Sequence, residues 1–149
     1  LFLDLDGVTH PLQTRLLERS QKVDTSHCFN PACMEQLRRI ISETGATIVL
    51  SSSWRLFDHT RDAAQAALAK HGLSFDAWTT SAGGETSAAR RDQVLSHVST
   101  FGSKASSWAV LDDENLAPVE ERGEESMMRA VFRQQFVRTC SSTGLTKIE

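Results

Sequence analysis

The chain has 149 residues, of which 40% are hydrophobic and 23% are charged, and its formal net charge is -3. This length favours one domain with a real hydrophobic core, and the composition is that of an ordinary globular protein. No apolar run approaches the roughly 20 residues needed to span a bilayer, so we predict no membrane partner. The negative charge disfavours broad nonspecific binding to nucleic acid, although a local basic groove would escape this total.

The cysteines give a prediction about the compartment. Cys28, Cys33 and Cys140 are a sparse and odd-numbered set, which disfavours a secreted disulfide framework and favours a reducing environment. The apolar run at residues 1–5 is too short for a secretory signal and is interrupted by an acid. We therefore expect a cytoplasmic protein.

The first predicted element is an apolar strand that ends in two acids and a glycine turn. Asp4 and Asp6 are separated by one residue and are followed by Gly7. In an extended chain residues i and i+2 face the same way, so both carboxylates project from one face. Because carboxylates this close repel each other unless a cation lies between them, the pair points to metal-assisted phosphoryl chemistry.

The later elements alternate between helices and strands. Residues 10–29 are polar and predict a loop or a small insertion, after which Asn30 and Pro31 are typical of a helix start and Gly45 of its end. Helical or strand patterns then predict a strand at 46–50, a helix at 58–71, a strand at 75–79, a helix at 90–101 and a strand at 108–111.

This alternation predicts a Rossmann-like three-layer α/β/α sandwich with a mainly parallel sheet. Residues 120–125 predict an acidic surface loop. Residues 131–139 favour a final strand, whose type is left open by the polar Arg133, Gln134 and Gln135. We expect one domain over residues 1–149, with the small polar insertion at about 10–29 and no large cap domain.

Three of the predicted strands end in polar side chains. Asp4 and Asp6 end the first, Ser51 ends the second, and Asp112 and Asp113 end the strand at 108–111. In open α/β sheets, ligands bind outside the carboxyl ends of the strands. We therefore expect these groups to converge in one crevice.

Four short motifs span almost the whole chain. They are Asp4-Leu5-Asp6-Gly7-Val8, Ile48-Val49-Leu50-Ser51, a basic residue at Arg90 or Arg91, and Val110-Leu111-Asp112-Asp113. In this order they resemble the motifs of the haloacid dehalogenase (HAD) superfamily of aspartate-nucleophile phosphatases and phosphotransferases. The narrower pattern of Asp-Gly-Val before His10, with Ser-Ser-Ser-Trp-Arg at 51–55, resembles the small HAD domain of multidomain (Swiss Army Knife) RNA repair proteins.

The resemblance implies a division of labour among the acids. Asp4 would attack phosphorus, and Asp6 would protonate the leaving oxygen and later activate water. Mg²⁺ would be held by Asp4, the backbone carbonyl of Asp6 and Asp113. Asp112 would be an auxiliary ligand or would support the ligands.

The resemblance also implies roles for the polar groups around the acids. Ser51 and Ser52 would bind the substrate phosphate, and Arg90 or Arg91 would balance charge where the superfamily more often has lysine. The indole of Trp54 could stack on a base or sugar, or could pack under its loop. The candidates for a substrate rim are His10, Trp54 and Arg55.

The resulting hypothesis is a Mg²⁺-dependent HAD-type phosphatase, a phosphoric monoester hydrolase. An open site suits a large phosphorylated substrate, and a nucleic-acid terminus is one candidate. The alternatives are phosphotransfer to an acceptor other than water and a noncatalytic regulatory domain that binds metal or phosphate. A response-regulator receiver is disfavoured because there the acidic pair comes first in the chain. No sequence pattern predicts an oligomeric state.

Overall fold

The structure is a computed structural model, and it describes residues 1–12, 29–101, 107–118 and 127–146. The strands are β1 Phe2–Leu3, β2 Ile48–Leu50, β3 Phe75–Trp78, β4 Val110–Asp112 and β5 Phe136–Arg138. They form one sheet in the order β3-β2-β1-β4-β5, and every neighbouring pair is parallel. The predicted parallel sheet is confirmed.

Helices connect the strands. The α-helices of the described part are α1 Pro31–Thr44, α2 Asp58–Ala69, α3 Ser87–Phe101 and α4 Met127–Gln135, and a short 3₁₀ helix at Ser53–Leu56 leads from β2 towards α2. The side chain of Asn30 accepts hydrogen bonds from two backbone N–H groups at the start of α1, and Gly45 ends α1 in the left-handed conformation, as the sequence predicts. None of the described helices is long and apolar enough to cross a membrane.

Two hydrophobic clusters pack on opposite faces of the sheet. Leu3 belongs to a cluster with side chains of α1 and α2, whereas its neighbour Phe2 belongs to a cluster with Val94 of α3 and Phe132 of α4. Successive strand residues point to opposite faces, so each buried strand supplies both clusters. The result is the expected three-layer α/β/α sandwich.

The final strand expected at 131–139, whose type the sequence leaves open, is only partly present: α4 extends to Gln135, and β5 begins at Phe136. The ring of Phe132 is fully buried and lies 5.9 Å from Trp108 and 6.0 Å from Phe136, centroid to centroid. The two rings are stacked across the junction between α4 and β5. The expected polar insertion lies mainly at 13–28 and the acidic loop at 120–125, both outside the described residues.

Strand register brings the polar strand ends together. Leu3 of the central strand β1 pairs with Leu50 on one side and with Leu111 on the other. The next residue, Asp4, donates its backbone N–H to Leu111 at 3.0 Å, and Ser51 donates its own to Leu3 at 2.8 Å. The carboxyl ends of β1, β2 and β4 therefore meet at one edge of the sheet.

Candidate active site

Asp4 lies at the centre of this edge and is 3% exposed. Its Oδ1 is 2.9 Å from Nη2 of Arg90. The same nitrogen lies 2.8 Å from Oδ2 of Asp112 and donates to the carbonyl of Ser51 at 3.2 Å. One guanidinium nitrogen therefore links the ends of three neighbouring strands.

The two candidate arginines face different surroundings. Arg90 lies near the start of α3, where its backbone N–H donates to Thr86, and its side chain reaches the acids. The Nε of Arg91 instead contacts the exposed carboxylate of its neighbour Asp92 at 3.0 Å. The structure thus brings Arg90 to Asp4 and leaves Arg91 with a local partner.

Three carboxylates form a group that fits a hard cation. Asp4, Asp112 and Asp113 each offer one oxygen, and these oxygens all lie within 4.8 Å of one another. Carboxylate oxygens are the ligands that Mg²⁺ prefers in proteins. The side chain of Asp6 does not belong to this group. The donor set therefore fits the ion that the sequence implies.

Burial and neighbouring charges shift the pKa values of the acids and of Arg90. Burial raises the pKa of Asp4 well above its usual range; Arg90 acts in the opposite sense, and Asp112 raises it further. Burial also raises the pKa of Asp112 to about 6 and increases the pKa of Asp113. Burial disfavours the charge of Arg90, but Asp4 and Asp112 outweigh it and raise the arginine pKa. Arg90 also lies 3.8 Å from Glu114, so this one arginine faces four acids and an added cation would be favourable.

Ser51 and Ser52 are buried beside the acids. The hydroxyl of Ser51 has no hydrogen-bond partner within the described residues, so it can donate to a phosphate oxygen. Ser52 caps the short 3₁₀ helix, where its Oγ accepts from the backbone N–H of Trp54 at 3.5 Å. A hydrogen bond from Ser52 also acts to lower the pKa of Asp4. Ser51 thus offers an unused donor beside the acids, whereas Ser52 is already engaged with Trp54.

Trp54 and His10 lie beside Asp6. The indole Nε1 of Trp54 donates to both carboxylate oxygens of Asp6, at 3.3 and 3.2 Å. His10 is buried, and its ring centroid lies 5.7 Å from that of Trp54 and 4.3 Å from that of Phe29. The sequence placed Trp54 and His10 near the site but did not reveal the contact between Trp54 and Asp6.

Arg55 is 2% exposed, which differs from the exposed rim expected for it. Its guanidinium binds Glu85 at 2.8 Å, Oε1 of Gln93 at 2.7 Å and the carbonyl of Ser52 at 2.8 Å. These partners tie the loop after β2 to the start of α3. No local sequence pattern indicates these contacts, because Glu85 and Gln93 lie 30 and 38 residues further along the chain.

Residues at the end of β5 hold the acidic loops from the other side. Thr139 donates its hydroxyl to the carbonyl of Gly7 at 2.9 Å and its N–H to the carbonyl of Asp112 at 3.0 Å. Arg138 Nε donates to the carbonyl of Asp113 at 2.9 Å. The hydrogen bonds from Arg138 and Thr139 thereby fix the backbone on both sides of the carboxylate group. No local sequence pattern indicates these hydrogen bonds.

At Gly7 the backbone passes close to the side chain of an acid. Its φ is +73°, and a Cβ added there would collide with the side chain of Asp113. Gly72 has a similar φ of +70°, but nothing lies within 4 Å of its added Cβ. Gly72→Ala should cost about 1 kcal/mol of unfolding free energy from backbone strain alone. Gly7→Ala should lower the unfolding free energy by about 2 kcal/mol more, because the added methyl group also collides with the side chain of Asp113. Urea unfolding of both variants measures the difference, and equal costs would contradict the close approach.

A parallel sheet with acids at the ends of two neighbouring strands, bridged by a cation from the following helix, defines a Rossmann-like α/β fold of the HAD type. A family model described as the HAD domain in Swiss Army Knife RNA repair proteins matches residues 1–149, and the chain belongs to this family. No curated protein and no solved structure gives a match. Membership indicates phosphohydrolase chemistry at a general level.

Proposed function

We propose that residues 1–149 form one catalytic domain, a Mg²⁺-dependent phosphomonoester hydrolase that works through an aspartyl-phosphate on Asp4. The observation that supports this best is the contact of the buried Asp4 carboxylate with Arg90, within a group of three acids. A nucleophilic carboxylate must be held in place and must have part of its charge balanced before it can approach a phosphate. The ion pair with Arg90 does both.

In the first step an oxygen of Asp4 forms a bond to phosphorus while the bond from phosphorus to the leaving oxygen breaks. Asp6 gives its proton to that leaving oxygen. In the second step Asp6 takes a proton from water, the water oxygen attacks phosphorus, and the bond to Asp4 breaks to release phosphate. Two lower barriers replace one high barrier.

The surrounding groups stabilise the phosphate during both steps. The free hydroxyl of Ser51 donates to a phosphate oxygen, and Arg90 keeps a positive charge beside Asp4 throughout. Mg²⁺, which Asp4, Asp112 and Asp113 would hold, supplies charge neutralisation when bound. These groups recognise the phosphoryl group of the substrate. They do not determine which leaving group it carries.

The proposed substrate class rests on the description of the family. The matched family is described by its occurrence in RNA repair proteins, which supports a nucleic-acid terminus as the phosphorylated substrate. A panel of 3′- and 5′-phosphorylated oligonucleotides, nucleotides, phosphopeptides and sugar phosphates tests this. A preference for sugar phosphates would count against the nucleic-acid terminus.

Release of inorganic phosphate from an aryl phosphate tests the reaction itself. We expect release that requires Mg²⁺, stops with a chelator and returns when Mg²⁺ is restored. Transfer to an added alcohol in place of release would favour a phosphotransferase. Absence of both reactions on the whole panel, with metal bound, would favour a noncatalytic binding domain.

Metal binding has a readout that does not depend on activity. Burial raises the pKa of Asp112 to about 6 in the folded protein. Without metal, this group therefore favours folding at low pH. Its contribution to stability is lost as the pH rises from the pKa of Asp112 in the unfolded chain through about 6. Mg²⁺ should therefore raise the melting temperature more at about pH 7.5 than at about pH 5, where protons compete for the carboxylates.

The variant Asp113→Asn should lose most of this Mg²⁺-dependent rise in melting temperature. Asp62→Asn, which removes an exposed acid of α2, is the matched control and should keep it. A melting temperature of the parent protein that does not respond to Mg²⁺ at either pH would contradict the metal site.

A further inference from the structure

The contact between Trp54 and Asp6 joins two residues that lie 48 positions apart in the sequence. The indole Nε1 is 3.3 Å from one oxygen of Asp6 and 3.2 Å from the other, so its one N–H group is shared between them. Indole is only a donor and accepts no hydrogen bond in the ring plane. The carboxylate is therefore held by a group that cannot take up its proton.

Trp54 is itself held firmly. Its backbone N–H donates to Ser52, and its carbonyl accepts from the hydroxyl of Thr60 at 2.7 Å. Its ring packs against Phe29 at a centroid distance of 6.0 Å and against His10 at 5.7 Å. The indole N–H consequently has a fixed position from which to orient a carboxylate.

The backbone around Asp6 is equally constrained. Gly7 donates its N–H to the carbonyl of His10 at 2.6 Å, and His10 donates its own to the carbonyl of Leu5 at 3.1 Å. Asp6 and His10 also form an isolated β-bridge. Because His10 also packs on Trp54, the same residue contacts both members of the pair.

From this geometry we infer that Trp54 is a positioning residue that orients Asp6 for its two proton transfers, an inference that rests on the proposed function. When Asp6 is protonated, its O–H cannot be donated to the indole N–H and must point to another acceptor. The leaving oxygen of the substrate is such an acceptor. When Asp6 is ionised, the indole N–H holds the carboxylate ready to take the proton of the attacking water.

The variant Trp54→Phe tests this role because it keeps an aromatic ring and removes the N–H. The measurement is kcat/KM for an alkyl phosphate and for p-nitrophenyl phosphate, a parameter that covers the reaction up to transfer to Asp4. An alkyl leaving group needs a proton from Asp6, whereas nitrophenolate leaves without one. We expect kcat/KM to fall about tenfold or more for the alkyl phosphate and less than about twofold for the aryl phosphate.

Trp78→Phe is the matched control. Trp78 is half exposed at the end of β3 and lies under the guanidinium of Arg61. It should leave both kcat/KM values within about twofold of the parent. A loss in Trp54→Phe that is equal for the two substrates, or no loss for either, would overturn the positioning role.

A second measurement is independent of turnover. The indole ¹H–¹⁵N resonance of Trp54, assigned by its loss in Trp54→Phe, should shift in Asp6→Ala, while those of Trp78 and Trp108 stay in place. An unmoved Trp54 resonance would overturn the contact. If the parent protein has no phosphatase activity, the proposed function fails and this role fails with it. If the parent is active and only the substrate difference is missing, the role of Trp54 alone fails.

Discussion

Asp4→Asn is expected to lower phosphate release by about 10³-fold or more, because an amide cannot form the acyl-phosphate bond. The variant should nevertheless fold. Burial raises the pKa of Asp4 well above its usual range, which means that the ionised form is unfavourable in the folded protein. Since asparagine is neutral, the metal-free variant should melt at a temperature no lower than the parent.

Two comparisons sharpen this test. Asp62→Asn makes the same chemical change at an exposed position of α2 and should retain full activity. Acid quenching during turnover should leave labelled phosphate on the parent protein and none on Asp4→Asn. Phosphate release that survives in Asp4→Asn would rule out an aspartyl-phosphate on this residue.

Arg90→Gln is the second large effect, an expected loss of about 10²–10³-fold in kcat. The change removes the positive charge that lies 2.9 Å from Asp4 and 2.8 Å from Asp112. Without it, Asp4 faces its neighbouring acids with no ion pair to a basic side chain among the described residues. Steady-state kinetics with an aryl phosphate at saturating Mg²⁺ measures the loss.

Arg90→Lys should be much milder, within about tenfold of the parent. A single nitrogen, Nη2, makes the contacts to Asp4, Asp112 and the carbonyl of Ser51, and Nε has no hydrogen-bond partner in the described part of the chain. A lysine ammonium carries three donors on one atom and can reproduce this pattern. A lysine variant as inactive as Arg90→Gln would show that the planar guanidinium is needed.

Arg91→Gln is the matched control for both arginine variants. Arg91 contacts the exposed Asp92, so its loss should change kcat by less than about twofold. An equal loss in Arg91→Gln and Arg90→Gln would contradict the assignment of the charge-balancing role to Arg90.

Most of the fold could be predicted because its signals are local. The cap at Asn30, the left-handed Gly45 and the short apolar strands each follow from a few neighbouring residues. The region of β5 could not be assigned this way. There α4 and the three-residue β5 follow each other directly, and no turn residue separates them in the sequence.

The residues of the candidate site likewise fall into those that the sequence predicts and those that it does not. The acids were visible because strand ends place them at one edge, and their spacing is short. The choice between Arg90 and Arg91 depends on the phase of α3, which the sequence leaves open within one residue. The burial of Arg55 and the donation from Trp54 to Asp6 depend on partners 30 to 48 residues away, for which the sequence has no periodic signal.

The hydrogen bond from Thr139 to the carbonyl of Gly7 connects residues that are 132 positions apart. Bringing such distant segments together costs chain entropy before any contact between them can compensate, so we expect contacts of this kind to form late in folding. Until β4 and β5 join the sheet, Asp4 and Asp112 remain apart in water, where like charges repel only weakly. We therefore expect the carboxylates of Asp4 and Asp112 not to repel each other strongly during the early folding steps. They come close together only when the surrounding structure can hold them.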